Sequence, residues 1–390
     1  MKIELPEFAC VALIGENKKE KKMFIQKYFH ESEVIALKEL ESIGTKRLEE
    51  GKFTGIDVCK IEEDDYERII RISKKYDCMA IAILLDEMPY ETGVLELLIN
   101  TLTKKGFQKV YSLDPGRENL QKGLKNRKHY LEEIEVVRMK LASNQKNVHG
   151  PFDLIGDIHG CYDELCELLE KLGYEVHKKK CIAKSVQGCK VVFLGDLVDR
   201  GPKSPEVLKL VMNMTSREEA YCTLGNHDGK LLRKLNGANV KVIHGLGETL
   251  QQLEAEPTEF IEAVKRFLAG LVSHYVFDEG RLVAVHAGLK EKFHGRESKK
   301  IRDLAMFGET TGKIDKLGLP IRLDWSKHYR GKAFVVYGHT PQRMVKIVNN
   351  TINIDTGCIF GGKLTAIRYP EKEIVAVAAK KKYFEPARPF

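Results

Sequence analysis

No apolar run in the 390 residues approaches the roughly 18 needed to cross a bilayer. The acidic, Lys-rich N-terminus also lacks the apolar core of a secretory signal. A cytoplasmic protein with no membrane contact is expected. CxxC pairs are missing too: the nine cysteines are scattered and odd in number, which fits a reducing compartment better than a disulfide framework. None of them stands out as a nucleophile. What remains is ordinary for a globular enzyme of two or three domains, 43% hydrophobic and 31% charged. The net charge of +8 suits a polyanionic partner such as nucleic acid, and suits a lysine-rich solvated surface equally well.

The first 90 residues alternate strand and helix. FACVALIG, EVIAL and CMAIAILLD read as buried strands, and Lys18 to Phe29 and Tyr66 to Tyr76 as helices. Such alternation predicts βαβ units around a parallel sheet. A phosphate-binding loop would follow the first strand, yet the G-x-x-x-x-G-K-[ST] pattern is incomplete. Gly15 and Lys21 match, Glu20 replaces the second glycine, and Lys22 replaces the hydroxyl that would hold magnesium. Kinase activity is expected to be absent. Residues 91–150 read as a mostly helical extension and linker, with a helix from Gly93 to Lys105, a short strand through Val110 and Tyr111, a turn at Asp114, Pro115 and Gly116, and a charged helix from Arg117 to Leu141.

Residues 151–390 carry the chemistry. Three apolar runs each stop at a compact polar motif: DLIGDIHG, VVFLGDLVDRG and AYCTLGNHD. In open α/β sheets ligands gather at the carboxyl ends of strands, so these tips should meet. They deliver Asp157, His159, Asp196, Asp199, Arg200, Asn226 and His227, and two later runs end at His286 and His339. Carboxylate, imidazole and amide without thiolate suit divalent ions of the Mn, Fe, Ni or Zn kind. Helices are expected from Tyr162 to Leu172, from Pro205 to Met214 and across 248–270, and further strands around 274–277, 282–286, 333–338, 351–355 and 364–368.

The ordered set GDIHG, GDLVDRG, GNHD, VHAG and GHT resembles the calcineurin-like metallophosphoesterases. That resemblance implies a two-sheet β-sandwich flanked by helices, preceded here by the parallel α/β unit of residues 1–90. It implies two divalent metal ions, with Mn²⁺ favoured. Asp157 and His159 would hold the first, Asp196 would bridge, and Asn226, His286 and His339 would hold the second, although spacing leaves open which ion His339 faces. A metal pair lowers the pKa of a bridging water and clamps the oxygens of an in-line displacement. His227 would be the general acid, oriented by Asp199, and Arg200 would grip phosphate oxygens.

The layout is also similar to the bacterial polynucleotide kinase-phosphatases of RNA repair, in KKGFQKVYSL at 104–113 and in the tail motifs DWSKHYRGKAFVVYGHTP, NIDTGCIFGGKLTAIRYPEKE and YFEPARPF. In that family a catalytic aspartate follows the second strand of a P-loop kinase, where this chain has Ala36, Leu37 and Lys38. The N-terminal unit is thus expected to be a degenerate kinase-like domain. The resemblance implies removal of 2′-, 3′- or 2′,3′-cyclic phosphates at RNA 3′ ends. An RNA ligase and an RNA 2′-O-methyltransferase would be separate subunits of a repair complex, and a homodimer is compatible with it. The alternatives are a protein serine/threonine phosphatase, a nucleotide phosphatase, or a scaffold subunit of such a complex.

Overall fold

The computed structural model describes residues 1–60, 62–85, 94–113, 134–316 and 319–386. The chain divides into two compact units, Met1–Leu141 with Arg296–Ile301, and Ala142–Gly295 with Arg302–Phe390.

The first unit contains β1 (Lys2–Pro6), β2 (Ala9–Ile14), α1 (Lys18–Tyr28), β3 (Val34–Ala36), α2 (Thr45–Glu49), β4 (Thr54–Val58), α3 (Glu63–Tyr76), β5 (Met79–Leu84), α4 (Val94–Lys105), β6 (Lys109–Ser112) and β7 (Glu135–Met139). A parallel sheet in the order β3-β4-β2-β5-β6 has β2 at its centre. Every residue of β2 is buried, as a strand covered on both faces requires. Two findings differ from the sequence reading. The helix and strand at 94–112 belong to this sheet, because β6 pairs with β5, so they do not form a separate extension. Of the helix expected over 117–141, most lies outside the described residues, as does the turn at 114–116, and the described end is a strand. There β7, with the sequence EVVRM, pairs in parallel with β1 from Lys2↔Glu135 to Pro6↔Met139. Strand β4 escaped notice because its five residues, TGIDV, include a glycine and an aspartate.

The second unit contains β8 (Asn144–Gln145), β9 (Phe152–Ile155), α5 (Tyr162–Leu172), β10 (Tyr174–His177), β11 (Ile182–Ser185), β12 (Lys190–Phe193), α6 (Ser204–Ser216), β13 (Ala220–Cys222), α7 (Asn226–Leu235), α8 (Leu246–Glu254), α9 (Thr258–Gly270), β14 (His274–Phe277), β15 (Leu282–Val285), β16 (Thr310–Ile314), β17 (Pro320–Arg322), β18 (Phe334–Tyr337), β19 (Lys346–Val348), β20 (Thr351–Asn353), β21 (Lys363–Tyr369) and β22 (Ile374–Ala378). One sheet runs β13-β12-β9-β21-β22 and the other β19-β20-β18-β15-β14-β8. Between them lies an apolar layer that includes Phe152, Leu154, Val192, Phe277, Leu282, Val336, Ile352 and Ile367. Alternate residues of β9 face this layer or the helices: Leu154 packs inward, while Ile155 joins Leu165, Leu169 and Val211 on the outer side. The sandwich is the expected one. It leaves the ends of β9, β12, β15 and β18 close together, since β9 pairs with β12 and β15 with β18, both in parallel.

Candidate metal centre

Three of the ligand-bearing loops leave their strands through a backbone conformation that side chains rarely adopt. His159, Asp196, Asp199, Arg200 and His339 all have positive φ, between +47° and +74°. Such strain persists only where surrounding contacts over-determine it, and it clusters at functional sites. The contacts are visible here. His159 N–H and Ile158 N–H both donate to Asp196 O, at 2.9 and 3.1 Å, tying the first loop to the second. The packing leaves no room for a Cβ at Gly201, which would collide with His159 O, or at Gly225, which would collide with Asp196 N.

Four imidazoles converge with Asp196. His159 Nδ1 lies 2.8 Å from Val198 O and His286 Nδ1 2.9 Å from Leu194 O. Each therefore donates its Nδ1–H to a main-chain carbonyl and aims Nε2 inward, the arrangement that prepares a histidine for a metal. Asp196 Oδ2 lies 3.7 Å from His159 Nε2 and 3.4 Å from His286 Nε2. The latter nitrogen is also 3.1 Å from Asn226 Oδ1 and 2.9 Å from His339 Nδ1. Two groups thus share Asp196: His159, Asp196 and His227, and Asp196, His286 and His339, each with donor atoms within 4.8 Å of one another. The position of His339, which spacing left open, is beside His286. Asp157 is buried, and its two oxygens accept the main-chain N–H of His339 at 3.1 Å each.

The electrostatics call for cations. Burial, and then the neighbouring Asp355 carboxylate, push Asp157 well above the usual carboxylate range. Burial would do the same to Asp196, but His286, His227 and His159 hold it well below. Burial would lower His286, but Asp196 and Asp157 outweigh it and raise it to about 9. A buried imidazole that keeps a proton against desolvation marks a site whose negative charge needs compensation. Nε2 of His339 is buried without a hydrogen-bond partner among the described residues. The N/O donor set, the inward lone pairs and this orphaned nitrogen fit divalent metal ions.

Beside the histidines stands a second array. His227 Nδ1 lies 2.6 Å from Asp199 Oδ2. Thr249 of α8 accepts the Asp199 N–H at 2.9 Å and donates its hydroxyl to Asp199 Oδ1, also at 2.9 Å. Arg200 reaches His159 Nε2 at 2.8 Å and His227 Nε2 at 2.9 Å through its two terminal nitrogens. Its guanidinium is centred 5.5 Å from the Phe360 ring and 5.9 Å from that of Phe384. All nine residues singled out in the sequence therefore lie in one neighbourhood.

The sequence reading missed Thr249, Asp228 and Asp355. Asp228 accepts Leu197 N–H at 2.9 Å and Gly225 N–H at 3.1 Å, lacing two ligand loops together, and burial pushes it up to about 7. Asp355 is buried, and burial raises it to about 6. It had the same signal as the recognised ligands, an apolar run ending in Asp before Thr-Gly. Thr249 offered none, being one polar residue on a helix.

In the first unit Lys21, the lysine left of the incomplete phosphate loop, is buried and committed elsewhere. Its ammonium lies 2.6 Å from Asp57 Oδ1 and 3.1 Å from Val58 O, both on β4.

Residues 150–361 match the family model for calcineurin-like phosphoesterases. Among curated proteins, the chain is similar to asymmetrical bis(5′-nucleosyl)-tetraphosphatases named PrpE. The protein from Geobacillus sp. strain WCH70 is 44% identical over 59% of this chain and 95% of its own length. The one from Halalkalibacterium halodurans is 44% identical over 59% and 94%. The Bacillus velezensis protein is 44% identical over 60% and 94%.

Proposed function

The chain belongs to the calcineurin-like phosphoesterase family and is a metal-dependent phosphoesterase, and from that premise we propose that its substrates are nucleoside polyphosphates, cleaved at a phosphoanhydride bond. The observation that carries this reading is the extent of the likeness. Identity of 44% spans nearly the whole length of relatives named for asymmetrical cleavage of bis(5′-nucleosyl) tetraphosphates, so it takes in the site and its surroundings alike.

Asp157, His159, Asp196, Asn226, His286 and His339 would hold two divalent ions, with Mn²⁺ favoured. When bound, such ions supply a water of lowered pKa and neutralise charge on phosphoryl oxygens. The rest falls to side chains of this chain. Arg200 presents two N–H groups into the space between His159 and His227, where phosphoryl oxygens would take them up as charge-assisted hydrogen bonds. His227 carries a proton to the leaving oxygen through Nε2, while Asp199 holds Nδ1–H and balances the imidazolium charge. Thr249 keeps Asp199 turned to that task.

One observation favours a second reading, removal of 2′- or 3′-phosphates from RNA ends. An anhydride expels a phosphate that needs little protonation, whereas a ribose alkoxide needs a general acid, and the His227–Asp199 pair is built as one. Support for a kinase-like first unit comes from its parallel sheet, with a central β2 feeding α1 through Gly15. An RNA ligase and an RNA methyltransferase as partners belong to this second reading.

The deciding experiment compares phosphate or nucleotide release by the full-length protein with Mn²⁺ from three substrates at matched concentration. These are diadenosine tetraphosphate, an RNA oligonucleotide ending in a 3′-phosphate, and a phosphoserine peptide. Preferred cleavage of the tetraphosphate, abolished by a chelator, is expected. Preference for the RNA would establish the second reading, and preference for the peptide would overturn both.

A further inference from the structure

We propose that a cleft beside His339 is the nucleoside subsite, and that the indole of Trp325 is the platform on which a nucleobase stacks. This rests on the nucleotide reading above and adds the residue that would recognise the base.

The cleft has a volume of about 410 Å³ and is lined by His339, Trp325, Tyr337, Arg322, Lys327 and Lys346, among others. That is within the range of small-ligand pockets. It shares His339 with the metal centre, so a molecule seated in it meets the centre without crossing bulk solvent. Trp325 is half-buried and held on several sides. Its ring centroid is 5.1 Å from that of Tyr337 and 5.7 Å from that of Tyr329, the latter edge-on at 85°. A Cβ on Gly288 would collide with the indole, so the loop that carries His286 packs directly against it. Tyr337 ends the strand that carries His339. The indole is thus wedged between the loops of two metal-centre histidines, and part of it lines the cleft.

A rigid aromatic ring beside a phosphate-handling centre suits a base, because every base offers a π-face. The cations suit the phosphate chain between base and metals. Arg322 is exposed and held toward the cleft by donation to Thr340 Oγ1 at 3.1 Å. Lys346 and Lys327 line the same cleft, and its two acidic residues are both paired, Glu309 with Lys290 at 2.7 Å and Asp324 with Lys327 at 3.1 Å, so that Arg322 and Lys346 are the cations facing the phosphates.

Trp325 is the only tryptophan in the sequence, so fluorescence excited selectively at the indole, outside tyrosine absorption, reports on this position alone. The test titrates the full-length Mn²⁺-loaded protein with the non-hydrolysable adenosine 5′-(β,γ-imido)triphosphate and, separately, with inorganic tripolyphosphate. Inhibition of p-nitrophenyl phosphate hydrolysis shows that each binds. Saturable quenching by the nucleotide alone is expected, with the same midpoint as its inhibition. In Trp325→Ala and the milder Trp325→Phe, the ratio of kcat/KM for diadenosine tetraphosphate to that for p-nitrophenyl phosphate should fall, roughly 10- to 100-fold for Ala and less for Phe. Inhibition by the nucleotide without quenching, or an unchanged ratio in both variants, would overturn the subsite. Failure to cleave diadenosine tetraphosphate while quenching persists would sink the substrate assignment and leave the base platform standing.

Discussion

Replacing Asp199 by Asn isolates the proton-transfer step from metal and phosphate binding. The carboxylate is fully buried and holds two partners in fixed senses, His227 Nδ1 at 2.6 Å and the Thr249 hydroxyl at 2.9 Å. That hydroxyl accepts Asp199 N–H and donates its own hydrogen to Asp199 Oδ1, the nearer acceptor at 2.9 Å against 3.3 Å for Ser204 Oγ. In Asp199→Asn the amide oxygen stays with Thr249, so the amide NH₂ meets His227 Nδ1. That nitrogen must then accept, and the imidazolium loses its counter-charge. General acid assistance is worth about 10²- to 10⁴-fold. A loss of roughly 10²- to 10³-fold in kcat is expected for a phosphomonoester with an alkoxide leaving group, about 3 to 4 kcal/mol in the barrier. With p-nitrophenyl phosphate, whose phenolate leaves unaided, the loss should be below roughly 10-fold. The assay is steady-state kcat over a series of leaving groups at saturating Mn²⁺, with metal content and thermal unfolding of the variant checked alongside. The variant's rate should depend more steeply on leaving-group basicity. An equal loss on every substrate would refute the general-acid assignment of His227 and leave the pair as a structural ion pair.

Thr249→Val removes both of the threonine's bonds to Asp199, and a milder version of the same leaving-group dependence should follow, with roughly a 10-fold loss on alkyl esters; a rate equal to that of the parent on all substrates would contradict it. In Gly338→Ala the new methyl would overlap Asp157 Oδ1, so metal content measured by mass spectrometry should fall with activity, and full occupancy would count against Asp157 as a ligand. His274 is buried, accepts Gly295 N–H through Nε2 at 2.9 Å, and is pushed down by burial to about 3 from an unfolded value of 6.5. Between these values the unfolded chain binds the extra proton. The stability is therefore complete above the unfolded value and is lost as pH falls toward 3, by about 2 kcal/mol between pH 7 and pH 5. Denaturant unfolding followed by Trp325 emission at the two pH values should show this difference, and His274→Gln should shrink it; an unchanged difference in the variant would contradict the assignment.

Much of the site was legible before any coordinates, because its ligands close short apolar runs and glycines flank them. An aspartate after Leu154 and Ile155, or a histidine after Val285, can be read as the end of a buried strand from neighbours alone. Continuous apolar runs in the strands and period-3.6 spacing in α5 are properties of the chain and marked those elements, while the two-sheet sandwich came from the resemblance of the ordered motifs. Where local signals conflicted with tertiary pairing, the reading failed. The stretch ending at Leu141 has a charged composition that suits a helix, yet β7 exists because β1 offers it a partner.

What the residues determined by themselves is the chemical kind of centre: nitrogen and oxygen donors without thiolate, with an arginine among them; the pairing of His227 with Asp199 came from the family resemblance. Only the tertiary structure decided which groups face each other. It set His339 against His286 rather than His159, turned Asp157 to the His339 main chain, and brought Thr249, 50 residues from Asp199, into contact with it. It also set Lys21 against Asp57 and wedged Trp325 behind the histidine loops. The physical reason is range. Strand ends and donor types follow from neighbouring residues, whereas partners in a buried polar network are chosen by which loops the two sheets bring within about 3 Å of one another.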